Sequence, residues 1–144
     1  FSAVWRILRG LRTLDARLGQ HAQSALQIAQ WLSDQPQVAQ VLYPPLPGSP
    51  GHEIWKRDFT GSTGVFSFVL HDQYGADAAA RFIEALEFFG IGASWGGIGS
   101  LALTYDLAKS RTHWPHKGAL IRLNIGLEDG RDLKADLERG FAAL

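Results

Sequence analysis

The stretch from residue 90 to 99, GIGASWGGIG, places five glycines around the adjacent Ser94 and Trp95. Glycine permits positive φ and lets another group come close to the main chain, so such a run makes either a string of turns or a seat for a ligand. The other candidate for recognition chemistry is Arg122, in the segment LIRLNIG (120–126). A guanidinium presents a planar fork that matches a carboxylate through two parallel hydrogen bonds, which an ammonium cannot do. Backbone amides freed by the glycines can donate to the same anion. The residues alone leave two readings open. Either Arg122 and the glycine turn hold a carboxylate together, or Arg122 pairs with an acidic residue such as Asp106 or Glu128 and the glycines are simply turns.

Other chemistries find less support. His113 and His116 have a spacing compatible with metal binding, but they flank Trp114 and Pro115 without a helical frame or a cysteine partner, so no metal site is expected. His21, His52 and His71 sit in separate segments, and His52 after Gly51 reads as closing a proline-rich loop. Gly97, Gly99 and Ala102 satisfy G-x-G-x-x-A, yet the dinucleotide fingerprint needs a strand before it and a long helix after it, and strand and loop follow here. The phosphate-binding G-x-x-x-x-G-K-[ST] and the zinc-binding H-E-x-x-H are absent.

The elements that must position these residues follow from periodicity. Val4, Ile7, Leu8 and Leu11 recur at helical spacing, and the pattern resumes after Thr13 through Leu14, Leu18, Ala25, Ile28, Ala29 and Leu32. This predicts two helices, or one bent at Gly10. Arg6, Arg9 and Arg12 share one face of the first, as a solvated stripe or an interface with another domain or subunit. Pro36 ends the helix, Val38 to Tyr43 is β-prone, and PPLPGSPGH (44–52) is loop. Glu53 to Phe59 reads as a short helix, Gly64 to Leu70 as a buried strand, and Asp77 to Leu86 as a helix capped near Ala76 or Asp77.

Leu101 to Leu103 fits a short strand, and Lys109 to Gly118 a loop. In the strand 120–126, Ile121, Leu123 and Ile125 share one face, with Arg122 and Asn124 on the other. Asp129 and Asp132 resemble an acidic capping box before a helix striped by Leu133, Leu137 and Phe141. The order predicts an α+β fold, a small and mostly antiparallel sheet covered by helices on one face.

Composition sets the outer bounds. The 144 residues suit a single domain, 1–144, and with 46% hydrophobic and 19% charged residues they read as globular. Fourteen basic and fourteen acidic side chains cancel, so no overall field draws the chain to nucleic acid or anionic lipid. No apolar run is long enough for a membrane span. Cysteine is absent, which removes disulfides and thiolate chemistry and is compatible with a reducing cytoplasm. A chain without methionine that opens directly in helical pattern reads as part of something larger.

The run from WRILRGLRTLDARLGQHAQ (5–23) through GVFSFVL (64–70), with SWGGIGSL (94–101) and LIRLNIGLEDGRDLKADLERGF (120–141), resembles the C-terminal domain of the cysteine and methionine metabolism family of pyridoxal-phosphate enzymes. Within that family the likeness is to its β-acting carbon–sulfur lyases. The resemblance implies the small, C-terminal domain of a fold-type I enzyme that closes over an amino-acid substrate, with pyridoxal 5'-phosphate bound by a large N-terminal domain. It implies that Arg122 grips the substrate α-carboxylate and that the backbone at Ser94 and Trp95 helps to hold it, with Trp95 packing beside this seat.

Two departures from the family pattern carry weight. Ala93 stands where relatives carry tyrosine or glutamate against the distal part of the substrate, which leaves substrate preference and β- against γ-elimination open. Gly99 stands where glutamate is usual, implying either a loosened loop or a divergent member of the family. The lysine that carries the cofactor, and the groups around its ring, would lie upstream of Phe1. Lys56, Lys109, Lys117 and Lys134 do not stand in a matching context, so no catalytic or cofactor-binding residue is expected in this chain, and alone it is expected to be inactive. The family further implies a cytoplasmic tetramer. The rival reading from a different class is a non-catalytic module that binds carboxylates or drives oligomerisation.

Overall fold

The computed structural model describes residues 2–107 and 110–144. Ten elements follow in the order α1 (Ser2–Leu11), α2 (Leu14–Ser33), β1 (Val38–Leu42), α3 (His52–Asp58), β2 (Val65–Leu70), α4 (Ala76–Glu84), β3 (Gly90–Ile91), β4 (Leu101–Tyr105), β5 (Leu120–Asn124) and α5 (Gly130–Ala142). The strands form one sheet in the order β1-β2-β5-β4-β3. Every pairing is antiparallel except β3 with β4, where Gly90 and Ile91 run parallel to Leu101 and Ala102. The fold is therefore α+β with a mixed sheet that is mostly antiparallel, as the element order predicts.

Alternation along the strands separates two faces. In register, Phe66, Leu123 and Ala102 form one row and Phe68, Ile121 and Thr104 the next, and these rows turn toward the helices. Leu70 and Ile125 extend the same buried side, and Ile28, Leu32, Phe82, Leu133 and Leu137 cover it from α2, α4 and α5. Phe82 meets Phe68 and Phe141 edge-on at centroid distances of 5.9 and 5.1 Å, an arrangement that adds ring electrostatics to area burial. The opposite face carries Ser67, Arg122 and Leu103 in one row.

The helix ends explain several boundaries. α1 and α2 are separate helices, and the break at Arg12–Thr13 is closed by Thr13 Oγ1 donating to the Gly10 carbonyl at 3.4 Å. α4 is entered from Gly75 rather than capped by Ala76 or Asp77. Asp129 caps α5 by accepting from the Arg131 amide at 2.8 Å and pairing with the Arg131 guanidinium. That pair, reinforced by the backbone bond, holds the Asp129 carboxyl down at about 2. Asp132 adds a charge in the first turn of α5, where the helix dipole favours it.

Buried Asp136 ties α5 to the chain after α4. Its carboxylate accepts from the amides of Glu87, Phe88 and Phe89 at 2.8–3.3 Å and from Arg139 at 3.2 Å. In this way α5 fixes the chain just before it enters the glycine-rich stretch. His52 closes the proline loop through Nδ1 to the Pro44 carbonyl at 2.8 Å. The expected loop 109–118 begins at Lys109, which lies outside the described residues; from residue 111 to 118 it forms neither helix nor strand.

One amphipathic surface has no cover. Val4, Ile7, Leu8 and Leu11 of α1 remain more than half exposed, and Arg9 lies over the exposed Trp5 ring at 5.3 Å. The spacing that predicts this helix is real, but its apolar stripe is not part of the core. Among the described residues no helix is long and apolar enough to cross a membrane.

Candidate functional site: an arginine facing a strapped glycine turn

β5 fixes Arg122 between Ser67 of β2 and Leu103 of β4, while its neighbours Ile121 and Leu123 anchor the strand in the core. The side chain therefore leaves the sheet on the face away from the helices. Its Nη2 donates to the Ser94 carbonyl at 3.5 Å, the long limit for such a bond. Its Nη1 is buried without a hydrogen-bond partner. A guanidinium carries five donors, so these are poorly used. Ion pairs join Arg57 to Asp58, Arg131 to Asp129, and Arg139 to Asp136 and Glu87, and none of these involves Arg122.

Glu128, one of the two acidic partners considered for Arg122, is engaged elsewhere. Its carboxylate accepts from the Ser100 amide at 2.7 Å and from the Ser100 hydroxyl at 2.9 Å. Ser100 Oγ in turn accepts from the Gly126 amide at 2.8 Å, and the Leu127 amide donates to the Ile98 carbonyl at 2.9 Å. The turn that follows β5 thus straps down the end of the glycine stretch. Gly126 is required there, because a Cβ would run into the Ile98 carbonyl and lie 2.7 Å from the Gly99 carbonyl carbon.

The middle of the stretch is held from both sides. Buried Asn124 accepts from the Gly96 amide at 3.4 Å and donates to the Gly99 carbonyl at 3.5 Å. From α2, Arg17 Nε donates to the Gly96 carbonyl at 3.2 Å, and His21 Nε2 lies 3.0 Å from the Gly97 carbonyl. Gly96 itself has φ of +73°, the left-handed region that favours glycine. The loosened loop implied at Gly99 is not what the structure shows: Asn124 and the Glu128–Ser100 pair anchor the chain on both sides of that residue.

Two expectations about the turn change in the details. The group that Ser94 turns toward Arg122 is its carbonyl, an acceptor, whereas the amides of Ser94 and Trp95 make no hydrogen bond among the described residues. Trp95 is 57% exposed rather than packed, because no part of the described chain lies over it. Ala93 and Ser94 are exposed as well. The Arg122–turn pair lies on an open face, while clear grooves lie elsewhere. One, of about 700 Å³, runs between α2 and the turn before α5, lined in part by Arg17, Gln20 and Glu128.

His21 and Asn124 lie outside the set of residues first picked for chemistry. The signal for His21 was present: it falls between Leu18 and Ala25 on the apolar side of α2, where a polar ring needs a partner. Fully buried, its imidazole is pushed below its ordinary value by desolvation, with Arg17 acting in the same direction. His113 and His116 are not brought together into a ligand set: His116 stacks edge-on against Trp114 at 4.8 Å. Among the described residues no group of three or more His, Asp or Glu side chains is placed to hold a metal.

These residues fit a carboxylate and do not fit a whole pyridoxal-phosphate site. The unpartnered Nη1 and the long Nη2 bond leave hydrogen-bonding capacity on Arg122 unused. Lys56 and Lys117 are exposed on α3 and on the loop before β5, and Lys134 lies on α5; none bonds to the seat. Lys109 lies outside the described residues.

Residues 2–142 match the family described as Cys/Met metabolism PLP-dependent enzyme. The chain is 50% identical over 141 residues to the cystathionine β-lyase MetC of Escherichia coli K12, covering 94% of this chain and 36% of that protein. It is 46% identical over 141 residues to a cystathionine β-lyase of Salmonella typhimurium, again covering 94% and 36%. It is also 41% identical over 139 residues to an L-alanine/L-glutamate racemase of Wolbachia pipientis, covering 94% and 34%. The chain therefore spans about a third of the length of these curated relatives. It belongs to the Cys/Met metabolism PLP-dependent enzyme family.

Proposed function

We propose that this family member is the substrate-carboxylate-binding, C-terminal portion of a cystathionine β-lyase. In the whole enzyme, cystathionine and water would give homocysteine, pyruvate and ammonia by β-elimination. The single observation that carries the reading is the Arg122 guanidinium, which takes no part in the ion pairs above and meets the glycine-rich turn through one long bond to the Ser94 carbonyl. The relatives support the same chemistry in a specific way. A thioether amino acid, alanine and glutamate differ at their side chains but share an α-carboxylate, so the common scaffold should grip that end.

Arg122 would bind and orient the carboxylate, and the backbone near Ser94 and Trp95 would help to hold it. Such positioning matters because a misplacement of about 1 Å can cost roughly 10²-fold in rate. Pyridoxal phosphate, held by the rest of the protein, would supply the electron sink. Ala93, small and beside Ser94, would face the distal part of the substrate and leave room there. A free carboxylate-binding or oligomerisation module is the alternative from a different class, and a γ-acting lyase or a cysteine-S-conjugate β-lyase is the nearest enzyme rival.

The exposed stripe Val4, Ile7, Leu8 and Leu11, flanked by Arg6, Arg9 and Arg12, supports α1 as a contact with the remainder of the protein or with another subunit. A cytoplasmic homotetramer is the assembly the family resemblance favours. Product analysis tests the activity. Full-length protein given cystathionine should release pyruvate and homocysteine; release of 2-oxobutyrate and cysteine would move the assignment to γ-elimination, and no turnover at all would favour the module.

A further inference from the structure

The carboxylate seat is exposed, yet the chain that forms it is fastened from a helix far away in sequence. Arg17 and His21 lie one turn apart on α2, and their Nε and Nε2 atoms reach the consecutive carbonyls of Gly96 and Gly97 at 3.2 and 3.0 Å. Arg17 is itself braced, since its Nη1 donates to the Gly10 carbonyl at 3.1 Å and to Thr13 Oγ1 at the break between α1 and α2. His21 is wholly buried and its Nδ1 has no partner among the described residues, where its one side-chain hydrogen bond is that to Gly97.

A carbonyl can only accept, so the bond to Gly97 requires the hydrogen on Nε2 and leaves Nδ1 as the bare nitrogen. Burying an imidazole for one outward bond to an exposed glycine is costly unless that bond fixes something. What it fixes is a peptide segment two residues beyond Trp95, whose other side is held by Asn124 at the Gly96 amide. With Gly96 bonded at both its amide and its carbonyl, the two peptides that directly follow Trp95 are held in place. Neither Arg17 nor His21 needs to touch the substrate to do this.

We infer that Arg17 and His21 are positioning residues, which hold the Gly96 and Gly97 carbonyls and so aim the Ser94–Trp95 turn at a carboxylate bound by Arg122. This rests on the carboxylate-seat reading above. It adds that α2, and not only the sheet, determines substrate affinity. The bonds are made to the resting turn, so their loss removes binding that is shared by ground state and transition state, and the effect falls on KM more than on kcat.

The test uses the full-length, cofactor-loaded enzyme with cystathionine. His21→Leu keeps an apolar side chain in the buried site but deletes the donor; His21→Gln places an amide nitrogen near the position of Nε2. The inference expects His21→Leu to raise KM roughly tenfold, the scale of one or two hydrogen bonds, with a smaller change in kcat. It expects His21→Gln to restore KM to within about twofold of the parent even if its melting temperature stays low, because the restored bond and not general stability sets KM.

An unchanged KM for His21→Leu, alongside a raised KM for Arg122→Ala, overturns the inference while leaving the seat intact. Unchanged values for both overturn the seat itself. Should His21→Leu not fold, Arg17→Leu decides, because this half-buried side chain leaves the core unaltered. A raised KM with unaltered circular dichroism supports the inference, and an unaltered KM overturns it.

Discussion

Arg122 Nη2 and the Ser94 carbonyl oxygen stand 3.5 Å apart across twenty-eight residues of sequence, joined by a bond at the edge of useful length. The relationship is informative because it is weak. A guanidinium with a structural task normally finds a carboxylate or several carbonyls, and this one leaves Nη1 buried and unpaired. The pairing therefore holds the arginine over the turn without satisfying it, which suits a site that must give the same donors to a ligand.

Asp136 should prove one of the most sensitive positions for stability. Its carboxylate collects three backbone amides and Arg139 while being almost entirely buried. Asp136→Ala strands those donors, and a loss of about 3 kcal/mol is expected from several unsatisfied buried groups. Denaturant unfolding checks this; a midpoint within error of the parent would show that the network is dispensable.

Gly126→Ala should damage both folding and substrate affinity. The added methyl meets the Ile98 carbonyl and the Glu128 carboxylate, the two groups that tie the glycine stretch to the end of β5. Overpacking of this kind costs about 1–3 kcal/mol, and relief by moving the strap would displace Ser94. A lowered melting temperature together with a raised KM is the expected pair of results. Gly97→Ala serves as the control, because a Cβ there meets nothing.

Acidification should weaken the fold through His21. Burial holds its folded value below the unfolded 6.5, so the unfolded chain binds more protons in the window beneath 6.5. Stability is full above that value and declines as pH falls through the window. Melting temperatures at about pH 7.5 and about pH 5.5 should differ less in His21→Gln than in the parent, since glutamine does not titrate. Asp129 adds a separate loss at lower pH, as its carboxyl protonates between 3.8 and about 2.

Much of this architecture was legible because local pattern and burial agree. The alternation Ile121, Leu123, Ile125 against Arg122, Asn124 identifies β5 and both its faces, since each neighbouring strand completes the same two layers. β3 was not legible: two residues, Gly90 and Ile91, become a strand only by pairing with β4. The course of the chain at Gly96 and Gly97 could not be read either, because Arg17, His21 and Asn124 bond it from distant segments. α1 shows the converse case. Its apolar spacing correctly predicts a helix, but the stripe lies exposed rather than in the core.

The central claim is that Arg122 receives the substrate carboxylate, and it is tested most directly by steady-state kinetics of Arg122→Ala and Arg122→Lys in the full-length enzyme. Alanine should raise KM for cystathionine by roughly a hundredfold with a smaller fall in kcat, the scale of a charged hydrogen-bonded contact, and lysine should recover only part of it because it lacks the fork. An Arg122→Ala enzyme with the parent's kcat/KM would contradict the account.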